Sequence, residues 1–304
     1  MGKRKNKKIL LFGGTGFLGN SLIKLLLKMD HEIILFTRTT SSRNAKQKYK
    51  FIQNIKIVHW NFTDYELIEK NILNSDCIIN LCGILYENRN KDFFRIHSDF
   101  PALLGKLSSK NNINSLIHVS ALGASEFSDS NYSRSKAIGE TKLLENFPNG
   151  KIIRPSLLFG KGDNFFGQFS EMASISPFLP LISRTTKFQP VFVDDVAKAI
   201  INLLEITKYK GSTFEIGGEY IYSFEELLKI LLEIKNIKRI LIPLNPKLMM
   251  IPAYFLQQLP KPPFTVDQMK LLKRDNILDN NLPGLKELGI KPTDMKKELV
   301  KIYR

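Results

Sequence analysis

The sequence predicts an α/β protein, built on a doubly wound parallel sheet with a smaller, mostly C-terminal α/β lobe. Three observations predict this fold. Short apolar segments alternate with helical patterns, the first apolar segment runs into a glycine-rich turn, and prolines change the rhythm after residue 153. Strands that alternate with helices form right-handed βαβ units, whose parallel sheet is covered on both faces. Ligands of such sheets bind at the carboxyl ends of the strands.

Each strand is predicted from a short apolar run, and each helix from apolar residues at helical spacing. The first strand carries no polar residue on either face, which is typical of a buried parallel strand. The predicted strands are residues 9–12, 32–37, 56–59, 77–81, 115–120, 151–153, 191–193 and 213–216. The predicted helices are residues 22–28, 65–72, 101–111, 132–147, 196–205 and 224–234. Asp194 and Asp195 are expected to cap a helix rather than to act as paired catalytic carboxylates.

The composition indicates a folded protein with a strong positive charge. The chain has 304 residues, 43% of them apolar, and a formal net charge of +16. That apolar fraction is enough for a full core. No recognised nucleic-acid-binding module accompanies the charge, so we expect no nucleic-acid partner. An anionic membrane surface or an acidic protein partner stays open.

The cysteines and histidines indicate neither a disulfide nor a metal site. Cys77 and Cys82 lie in or beside one apolar run, which is typical of buried, reduced thiols in a cytosolic protein. The histidines lie in separate predicted elements without metal-ligand spacing, so structural or solvent-facing roles are expected. They are His31, His59, His97 and His118. No apolar stretch approaches the roughly 18 residues of a membrane span, so the protein should be soluble or peripheral.

A glycine-rich turn follows the first predicted strand directly and precedes a helical pattern. It reads Gly-Gly-Thr-Gly-Phe-Leu-Gly over residues 13–19. Glycines in this context allow a tight turn, a close approach of the backbone to a pyrophosphate, and close packing of helix on strand. The N-terminus of the helix offers unpaired N–H groups and a positive dipole end to phosphates. Strand, glycines and helix in this order predict a dinucleotide site.

Three polar residues form a second constellation. Ser120 ends the fifth predicted strand, so it faces the crevice where a nicotinamide would lie. Tyr132 and Lys136 are four residues apart and share one face of a predicted helix. A tyrosine has a pKa near 10, and a lysine ammonium one turn away should lower that pKa. Together with a serine that orients a carbonyl or hydroxyl, this is a general acid–base set.

These motifs resemble those of the extended or atypical short-chain dehydrogenases/reductases, a Rossmann-type family that includes NAD-dependent epimerases and dehydratases. Within that superfamily, the chain is similar to the nucleotide-binding accessory subunit of respiratory complex I and its bacterial relatives. The resemblance covers nearly the whole chain. It rests on residues 13–19, the Ser120, Tyr132 and Lys136 spacing, and residues 80–87, 118–124, 154–160, 188–197, 262–268 and 275–276.

The resemblance implies a set of cofactor-lining residues. The pyrophosphate would lie against the glycine turn, and the adenine against the residues that follow the third strand. The nicotinamide and its ribose would lie against residues after the fourth and sixth strands, and against the Tyr–Lys pair. The implied residues are Gly13, Thr15, Gly16, Phe17, Leu18, Gly19, Asn61, Phe62, Leu81, Cys82, Gly83, Tyr132, Lys136, Pro155 and Ser156. Asn61 stands where the superfamily usually has Asp.

The end of the second predicted strand bears on the choice of cofactor. NAD sites place an acidic residue there for the ribose 2′-hydroxyl, whereas an arginine accommodates a 2′-phosphate. This chain has Arg38 followed by Thr39 and Thr40, with Arg43 beyond and no acidic residue. Because arginine can bind phosphate bidentately, NADP(H) is favoured, with NAD(H) as the alternative.

The domain organisation follows from the element pattern. We assign residues 1–165 to the NAD(P)-binding domain, to which residues 189–207 return. Residues 166–188 and 208–304 are assigned to a smaller lobe for a substrate or a partner, and the strand at 213–216 is placed in that lobe. No linker or internal repeat is visible, so the lobes are expected to interleave.

An apolar stretch at residues 241–259, with Lys247 and Lys261 beside it, is a candidate for docking on a membrane surface or a hydrophobic partner. It is equally a candidate for ordinary core above the substrate pocket. By resemblance, the partners would belong to the respiratory chain or be quinone-related. The resemblance implies a bacterial cytoplasmic protein, either free or peripheral on the inner membrane.

Two functions stay open at this point. In the first, the protein is a binding subunit, in which the nucleotide is structural or sensory. In the second, it is an NADP-dependent oxidoreductase or epimerase that acts on a small carbonyl or alcohol substrate. Tyr132 would then transfer a proton, Lys136 would tune it and hold the ribose, and Ser120 would polarise the substrate.

Overall fold

The computed structural model describes residues 6–38, 45–49, 52–206, 208–260, 262–279 and 281–304. Its strands are β1 Lys8–Phe12, β2 Glu32–Thr37, β3 Ile55–His59, β4 Cys77–Asn80, β5 Ser115–Val119, β6 Lys151–Pro155, β7 Leu158–Phe159, β8 Phe178–Ile182, β9 Lys187–Phe188, β10 Val191–Phe192, β11 Thr213–Ile216, β12 Tyr222–Ser223 and β13 Ile240–Leu244.

The helices surround these strands. They are α1 Phe17–Leu27, α2 Tyr65–Ile72, α3 Asp92–Phe94, α4 Phe100–Lys110, α5 Asn131–Asn146, α6 Asn164–Ile175, α7 Val193–Glu205, α8 Phe224–Ile234, α9 Pro246–Leu256, α10 Val266–Leu271 and α11 Met295–Tyr303. A π-helical turn, Arg95–Asp99, joins α3 to α4.

A seven-stranded sheet forms the centre of the molecule, in the order β11-β6-β5-β4-β1-β2-β3. All of its neighbours pair in parallel. The chain moves outward from β1 through β2 to β3, and then returns to the other side of β1 at β4. The strand order therefore reverses beside β1, and a ligand crevice lies at the carboxyl ends of β1 and β4. The predicted doubly wound parallel sheet is confirmed.

Two apolar cores cover the sheet because side chains alternate between its faces. Ile9 and Leu11 of β1 join the core beneath α1 and α7. Leu10 and Phe12 join the core beneath α2, α4 and α5. An all-apolar strand is thus buried on both faces, as its sequence predicts. The rings of Phe12, Phe36 and Trp60 pack together at the second face.

The expected lobe boundary is wrong at β11. Residues 213–216 were assigned to the smaller lobe, yet β11 pairs in parallel with β6 at the edge of the main sheet. Leu285 and Leu288, from the assigned lobe, also pack in the core beneath α1 and α7. The reason is physical: β11 is buried throughout its last three residues, and pairing with β6 gives its backbone groups partners.

The predicted strand at 191–193, by contrast, does not join the main sheet. Its first two residues form β10, which pairs with β7 in a separate two-stranded sheet. Helix α7 then begins at Val193, and its N-cap is Phe192 without a side-chain cap. Asp194 and Asp195 therefore stand in the first turn, where they complement the helix dipole rather than cap it. Their oxygens accept hydrogen bonds from Ser21 Oγ and from the backbone N–H of Thr293.

The smaller lobe has its own aromatic core. Helices α6, α8 and α11 pack around buried rings at Phe159, Phe166 and Phe224. Strands β8 and β13 pair in parallel at its edge, and β9 pairs with β12. Within the described part of the chain, no helix is long and apolar enough to cross a membrane. Both cysteines are free and buried, as predicted.

Candidate functional site

The glycine turn between β1 and α1 is shaped by contacts that only glycine allows. Gly13 has φ +76°, and a Cβ there would lie 2.8 Å from the carbonyl carbon of Leu81. A Cβ at Gly19 would lie 2.4 Å from the Cα of Gly14, so α1 packs directly on the turn. Gly16 is different, because its nearest neighbour would be the carbonyl oxygen of Gly13 at 3.3 Å. The turn is thus packed beneath and open above Gly16.

The N-terminus of α1 fits an anionic group. Gly16 is its N-cap, and among the described residues no side chain caps this end. The first turn carries no acidic residue that would repel a phosphate. Phe17 and Leu18 open the helix, so their N–H groups lack partners from a preceding turn. The carbonyl of Thr15 accepts from the amide of Asn20 at 3.4 Å. A pyrophosphate could therefore take these N–H groups and the positive dipole end.

At the end of β2, Thr37 is buried and Arg38 is exposed. The Thr37 hydroxyl lies 3.4 Å from the carbonyl oxygen of Arg38. This places the arginine at the carboxyl edge of the sheet, next to the strand that carries the glycine turn. Thr39, Thr40 and Arg43 lie outside the described residues.

Asn61 and Phe62 follow β3, on the side of the sheet expected to receive the adenine. Phe62 is half-buried, with its ring edge-on to Trp60 at 4.8 Å and to Phe100 at 5.1 Å between centroids. Asn61 is exposed, and its side-chain oxygen accepts from the backbone N–H of Thr63 at 2.8 Å.

Leu81, Cys82 and Gly83 follow β4 at the centre of the crevice. The N–H of Leu81 donates to the carbonyl of Phe12 at 2.9 Å, which extends the pairing of β4 with β1. A Cβ at Gly83 would lie 3.4 Å from Lys136 Nζ. Burial raises the pKa of the Cys82 thiol to about 12, so the thiol stays neutral. This segment passes close beneath the lysine of the predicted acid–base set.

Lys136 reaches from α5 to the end of β5, next to Ser120. Its ammonium donates to the carbonyl of Val119 at 3.2 Å, and the residue is 3% exposed. Burial lowers its pKa to about 8, although the carboxylate of Glu140 opposes the shift. Ser120 is buried, and within the described residues its hydroxyl has no hydrogen-bond partner. A ligand could thus supply acceptors to the ammonium of Lys136 and a hydrogen-bond partner to the hydroxyl of Ser120.

Tyr132 lies one turn before Lys136 in α5. Burial, and after it the charge of Asp267, raise the pKa of Tyr132 to about 12. The direction is opposite to the one that the Tyr–Lys spacing predicts, so that expectation is wrong for the protein without ligand. The spacing does not reveal Asp267, which approaches from the C-terminal lobe.

Pro155 ends β6 and Ser156 follows it, and both residues are buried. The Ser156 hydroxyl donates to the side-chain oxygen of Asn276 at 2.7 Å. The Asn276 amide in turn donates to the carbonyl of Leu122 at 3.2 Å. Asn276 therefore fastens the C-terminal segment across the ends of β5 and β6, where the nicotinamide would lie.

Two histidines that the sequence assigns to separate elements meet beside Lys136. The N–H of Ile84 donates to His97 Nε2 at 3.0 Å, so a neutral His97 carries its proton on Nδ1, facing Ser135 Oγ at 3.0 Å. Burial, and then the charge of Lys136, lower the pKa of His97 far below its usual value. The same two causes, in that order, lower the pKa of His118. Both imidazoles are therefore neutral.

The hydrogen bonds of Asn80 fix the second imidazole. Its side-chain oxygen accepts from the N–H of Cys82 at 3.0 Å, so its amide donates to His118 Nδ1 at 3.1 Å. His118 then carries its proton on Nε2, which has no hydrogen-bond partner among the described residues. The π-helical turn Arg95–Asp99 places His97 in this cluster. Sequence reasoning missed the cluster, because its members come from separate elements: the pairing of β4 with β5 brings Asn80 to His118, and His97 comes from the π-helical turn.

No group of three His, Cys, Asp or Glu side chains in the described ranges could hold a metal ion. The residues present do fit a dinucleotide: a glycine cradle that a Cβ would fill, an uncapped helix end, and a buried ammonium with unused donors. They lie along the carboxyl ends of neighbouring parallel strands, which is where this class of fold binds its ligands.

Comparison with known proteins defines the class. Residues 9–217 match the model of the NAD dependent epimerase/dehydratase family, and the chain belongs to that family. A solved structure of the Bordetella bronchiseptica enzyme WbmG in complex with NAD and UDP has the same fold. Its TM-score is 0.73 at 15% identity, over 100% of this chain and 94% of that one. The expected Rossmann-type architecture is therefore confirmed.

Relatives that align with nearly the whole chain are named as subunits of NADH dehydrogenase [ubiquinone]. The chain is 31% identical over 299 residues to NADH dehydrogenase [ubiquinone] 1 alpha subcomplex subunit 9, mitochondrial, of Dictyostelium discoideum, which covers 97% of this chain and 83% of the relative. The protein of the same name from Mus musculus is 31% identical over 304 residues, covering 97% of this chain and 79% of the relative. The resemblance to the complex I accessory subunit is confirmed.

Proposed function

We propose that this protein is a nicotinamide-dinucleotide-binding subunit that works within a respiratory-chain assembly rather than as a free-standing enzyme. The observation that carries the proposal is the cradle between β1 and α1, where the N-cap Gly16 is open and the helix end lacks a side-chain cap. The names of the relatives supply the assembly, since they are subunits of NADH dehydrogenase [ubiquinone].

Different residues of the chain would bind different parts of the nucleotide. The N–H groups of Phe17 and Leu18 would bind the pyrophosphate, and Lys136 would donate to the hydroxyls of the nicotinamide ribose. Pro155 and Ser156 would flank the nicotinamide, and Phe62 would lie against the adenine. The bound nucleotide supplies a hydride carrier, and it also gives the buried ammonium of Lys136 the acceptors that it lacks in the free protein.

The enzyme alternative has one observation in its favour, which is that Ser120, Tyr132 and Lys136 are all present. A Tyr132 with a pKa near 12, however, is a weaker acid than free tyrosine and yields little phenolate at neutral pH. The burial of Tyr132, and after it the charge of Asp267, thus favour binding over turnover.

Arg38 extends the proposal to the nucleotide's 2′-position. Its guanidinium is exposed at the end of β2, where a 2′-phosphate would lie, and residues 37–40 contain no acidic side chain that would hold a 2′-hydroxyl. NADP(H) is therefore the favoured ligand, and NAD(H) is the alternative.

The exposed face of α9 is the candidate surface toward the assembly. Four large apolar side chains there are each more than half exposed: Leu248, Ile251, Tyr254 and Phe255. Such a patch is typical of a protein or membrane contact. We favour a protein partner because the relatives are named as subunits. Replacing Ile251 and Phe255 by serine should release the protein from the assembly in native-cell purification. Flotation of the purified protein with anionic vesicles would instead favour a membrane surface.

The proposed binding is tested by calorimetric titration of NADH and NADPH, together with melting temperatures. Gly16→Val should abolish binding while leaving the fold intact, because its side chain enters the phosphate space and meets little protein. Gly167→Ala in α6 is the control, since a Cβ there would meet, among the described residues, the hydroxyl of Tyr303 at an ordinary contact distance of 4.0 Å. No heat and no stabilisation with either nucleotide would overturn the proposal. Oxidation of NADPH by carbonyl substrates, lost in Tyr132→Phe, would favour the enzyme alternative.

A further inference from the structure

Asp267 joins the C-terminal lobe to the helix that carries Tyr132. It stands in the first turn of α10, 135 residues beyond Tyr132 in the sequence. Its carboxylate nevertheless lies at the N-terminus of α5, in contact with the first turn of that helix.

The carboxylate accepts three hydrogen bonds there. Oδ1 accepts from the N–H of Asn131 at 2.7 Å, while Oδ2 accepts from Ser130 Oγ at 2.7 Å and from the N–H of Tyr132 at 3.1 Å. Two of these donors are first-turn N–H groups, which have no partner within the helix. Hydrogen bonds to a carboxylate are stronger than neutral ones, and a negative charge at a helix N-terminus is stabilised by the dipole. The contact therefore holds the first turn of α5 firmly.

Helix α10 is itself fixed on both sides of Asp267. A capping box between Thr265 and Gln268 begins the helix, and Lys270 donates to the carbonyl of Asp129 at 3.0 Å. The N–H of Val266 lies 3.4 Å from the side-chain oxygen of Gln257, the C-cap of α9. A chain of contacts thus leads from α9 through α10 to the first turn of α5.

Tyr132 is placed by this first turn on one side and by two rings on the other. Its ring lies edge-on to Phe93 at 5.8 Å and to His97 at 5.3 Å between centroids. The charge of Asp267 also reaches it, since that charge is the second cause of the raised pKa of Tyr132. A substitution of Asp267 should therefore affect the phenol of Tyr132.

We propose that Asp267 is a positioning residue for Tyr132, and that it couples dinucleotide binding to the docking of α9 and α10. The proposal rests on the proposed function for its ligand. A nucleotide that needs Tyr132 in place favours the docked segment, and by linkage the docked segment favours the nucleotide to the same extent. Nucleotide binding would in this way stabilise the docked position of α9, whose exposed face is proposed to contact the assembly.

The test replaces Asp267 by Asn, which keeps one acceptor oxygen and removes the charge. Asp294→Asn is the matched control, because Asp294 caps α11 by accepting from the N–H of Lys297 at 3.0 Å. We expect Asp267→Asn to weaken NADPH binding about tenfold, the loss of one charge-assisted hydrogen bond. The control should change it less than about twofold. Asp267→Glu keeps the charge and should retain most of the affinity.

Two further readouts separate positioning from general support. Alkaline titration of ¹³C-labelled tyrosines, assigned with Tyr132→Phe, should give a lower pKa for Tyr132 in Asp267→Asn and no change in Asp294→Asn. Hydrogen exchange over residues 257–273 should slow with NADPH in the wild-type protein, but not in Asp267→Asn. Equal affinities, equal Tyr132 pKa values and equal exchange in folded variants would overturn the inference. Failure of the wild type to bind any nucleotide would overturn the proposed function. The titration of Tyr132 would then still show whether Asp267 acts on this residue.

Discussion

The ammonium of Lys136 donates to the carbonyl oxygen of Val119 across 3.2 Å, at the end of β5. Among the described residues this is its one hydrogen bond, although an ammonium has three donors. Burying a charged group with unmet donors costs free energy, which a ligand with hydroxyl acceptors offsets. The buried ammonium is therefore expected to lower the free energy of unfolding of the free protein. Nucleotide binding should offset this loss.

Replacing Lys136 by Met should stabilise the free protein. Burial lowers the pKa of Lys136 to about 8, which indicates a cost at neutral pH of at most about 3 kcal/mol. We expect Lys136→Met to raise the free energy of unfolding in urea at pH 7.5 by about 1–3 kcal/mol, and to weaken nucleotide binding. Lys142→Met, on the exposed side of the same helix, is the control. A destabilised Lys136→Met protein would contradict the account of this site.

The same residue predicts a pH dependence. Below about pH 8 the lysine is protonated in both states, and the cost of its burial is fully present. Between about pH 8 and 10.5, the ordinary pKa of a lysine side chain, the unfolded chain binds more protons than the folded one, so this group makes stability rise with pH. Cys82 opposes this at higher pH, because its pKa is raised to about 12. The difference between wild type and Lys136→Met should therefore shrink from pH 7.5 to 9.5, and a constant difference would contradict the prediction.

A second prediction concerns the contact between α5 and the π-helical turn. A Cβ at Gly139 would lie 1.8 Å from the carbonyl oxygen of His97, which is backbone and cannot move aside. Gly139→Ala should lower the free energy of unfolding by about 3 kcal/mol or more. Gly167→Ala should stabilise the protein slightly, because its Cβ lies in a helix and would meet the hydroxyl of Tyr303 at an ordinary contact distance of 4.0 Å. Equal stability of the two variants in urea would show that the two helices do not pack this closely.

Local sequence was sufficient for the sheet and for part of the site. The apolar runs predict β1, β2 and β4 because buried parallel strands need no alternation. The glycine turn is local too, since residues 13–19 are consecutive in the sequence, although the close contact at Gly13 is with Leu81. The spacing of Tyr132 and Lys136 places them one turn apart wherever their helix lies. These features were predictable because one element contains each of them.

The remaining features depend on contacts between distant residues. Asn80 meets His118 only after β4 and β5 pair, and His97 comes from the π-helical turn. Asn276 reaches Ser156 from 120 residues away. Burial, and after it the charge of Asp267 from the other lobe, reverse the expected pKa shift of Tyr132. The placement of residues 213–216 in the smaller lobe is wrong for the same reason: a four-residue strand does not specify which sheet edge it joins. A motif at residues 262–268 could have drawn attention to Asp267, but not to its target.

The third prediction concerns the buried ion pairs beneath α5. Arg154 donates to Glu140 at 2.6 Å and to Glu215 at 3.4 Å, and both carboxylates are buried. Arg154→Met would leave two buried carboxylates without their cation, so we expect a loss of about 3–5 kcal/mol in the free energy of unfolding. Acidification should lessen the loss, because a protonated carboxyl is easier to bury.

A double variant sharpens this measurement. Glu140→Gln together with Arg154→Met removes one of the two stranded charges, so it should recover part of the stability at pH 7. Replacing the exposed Arg184, which pairs with Glu225 at the surface, should cost less than about 1 kcal/mol. Equal free energies of unfolding for Arg154→Met and Arg184→Met would show that the Arg154 cluster contributes no more to stability than a surface ion pair.

The last prediction concerns the choice between NADP(H) and NAD(H). Arg38 is exposed at the end of β2, and a 2′-phosphate there would form a charge-assisted pair with its guanidinium. Arg38→Ala should therefore weaken NADPH binding about tenfold and leave NADH binding within about twofold, as measured by calorimetry at low salt. Lys28→Ala, an exposed cation at the far end of α1, is the control for loss of a positive charge. Equal losses for both nucleotides in Arg38→Ala would place the arginine away from the 2′-position, and the preference would then have to come from another residue.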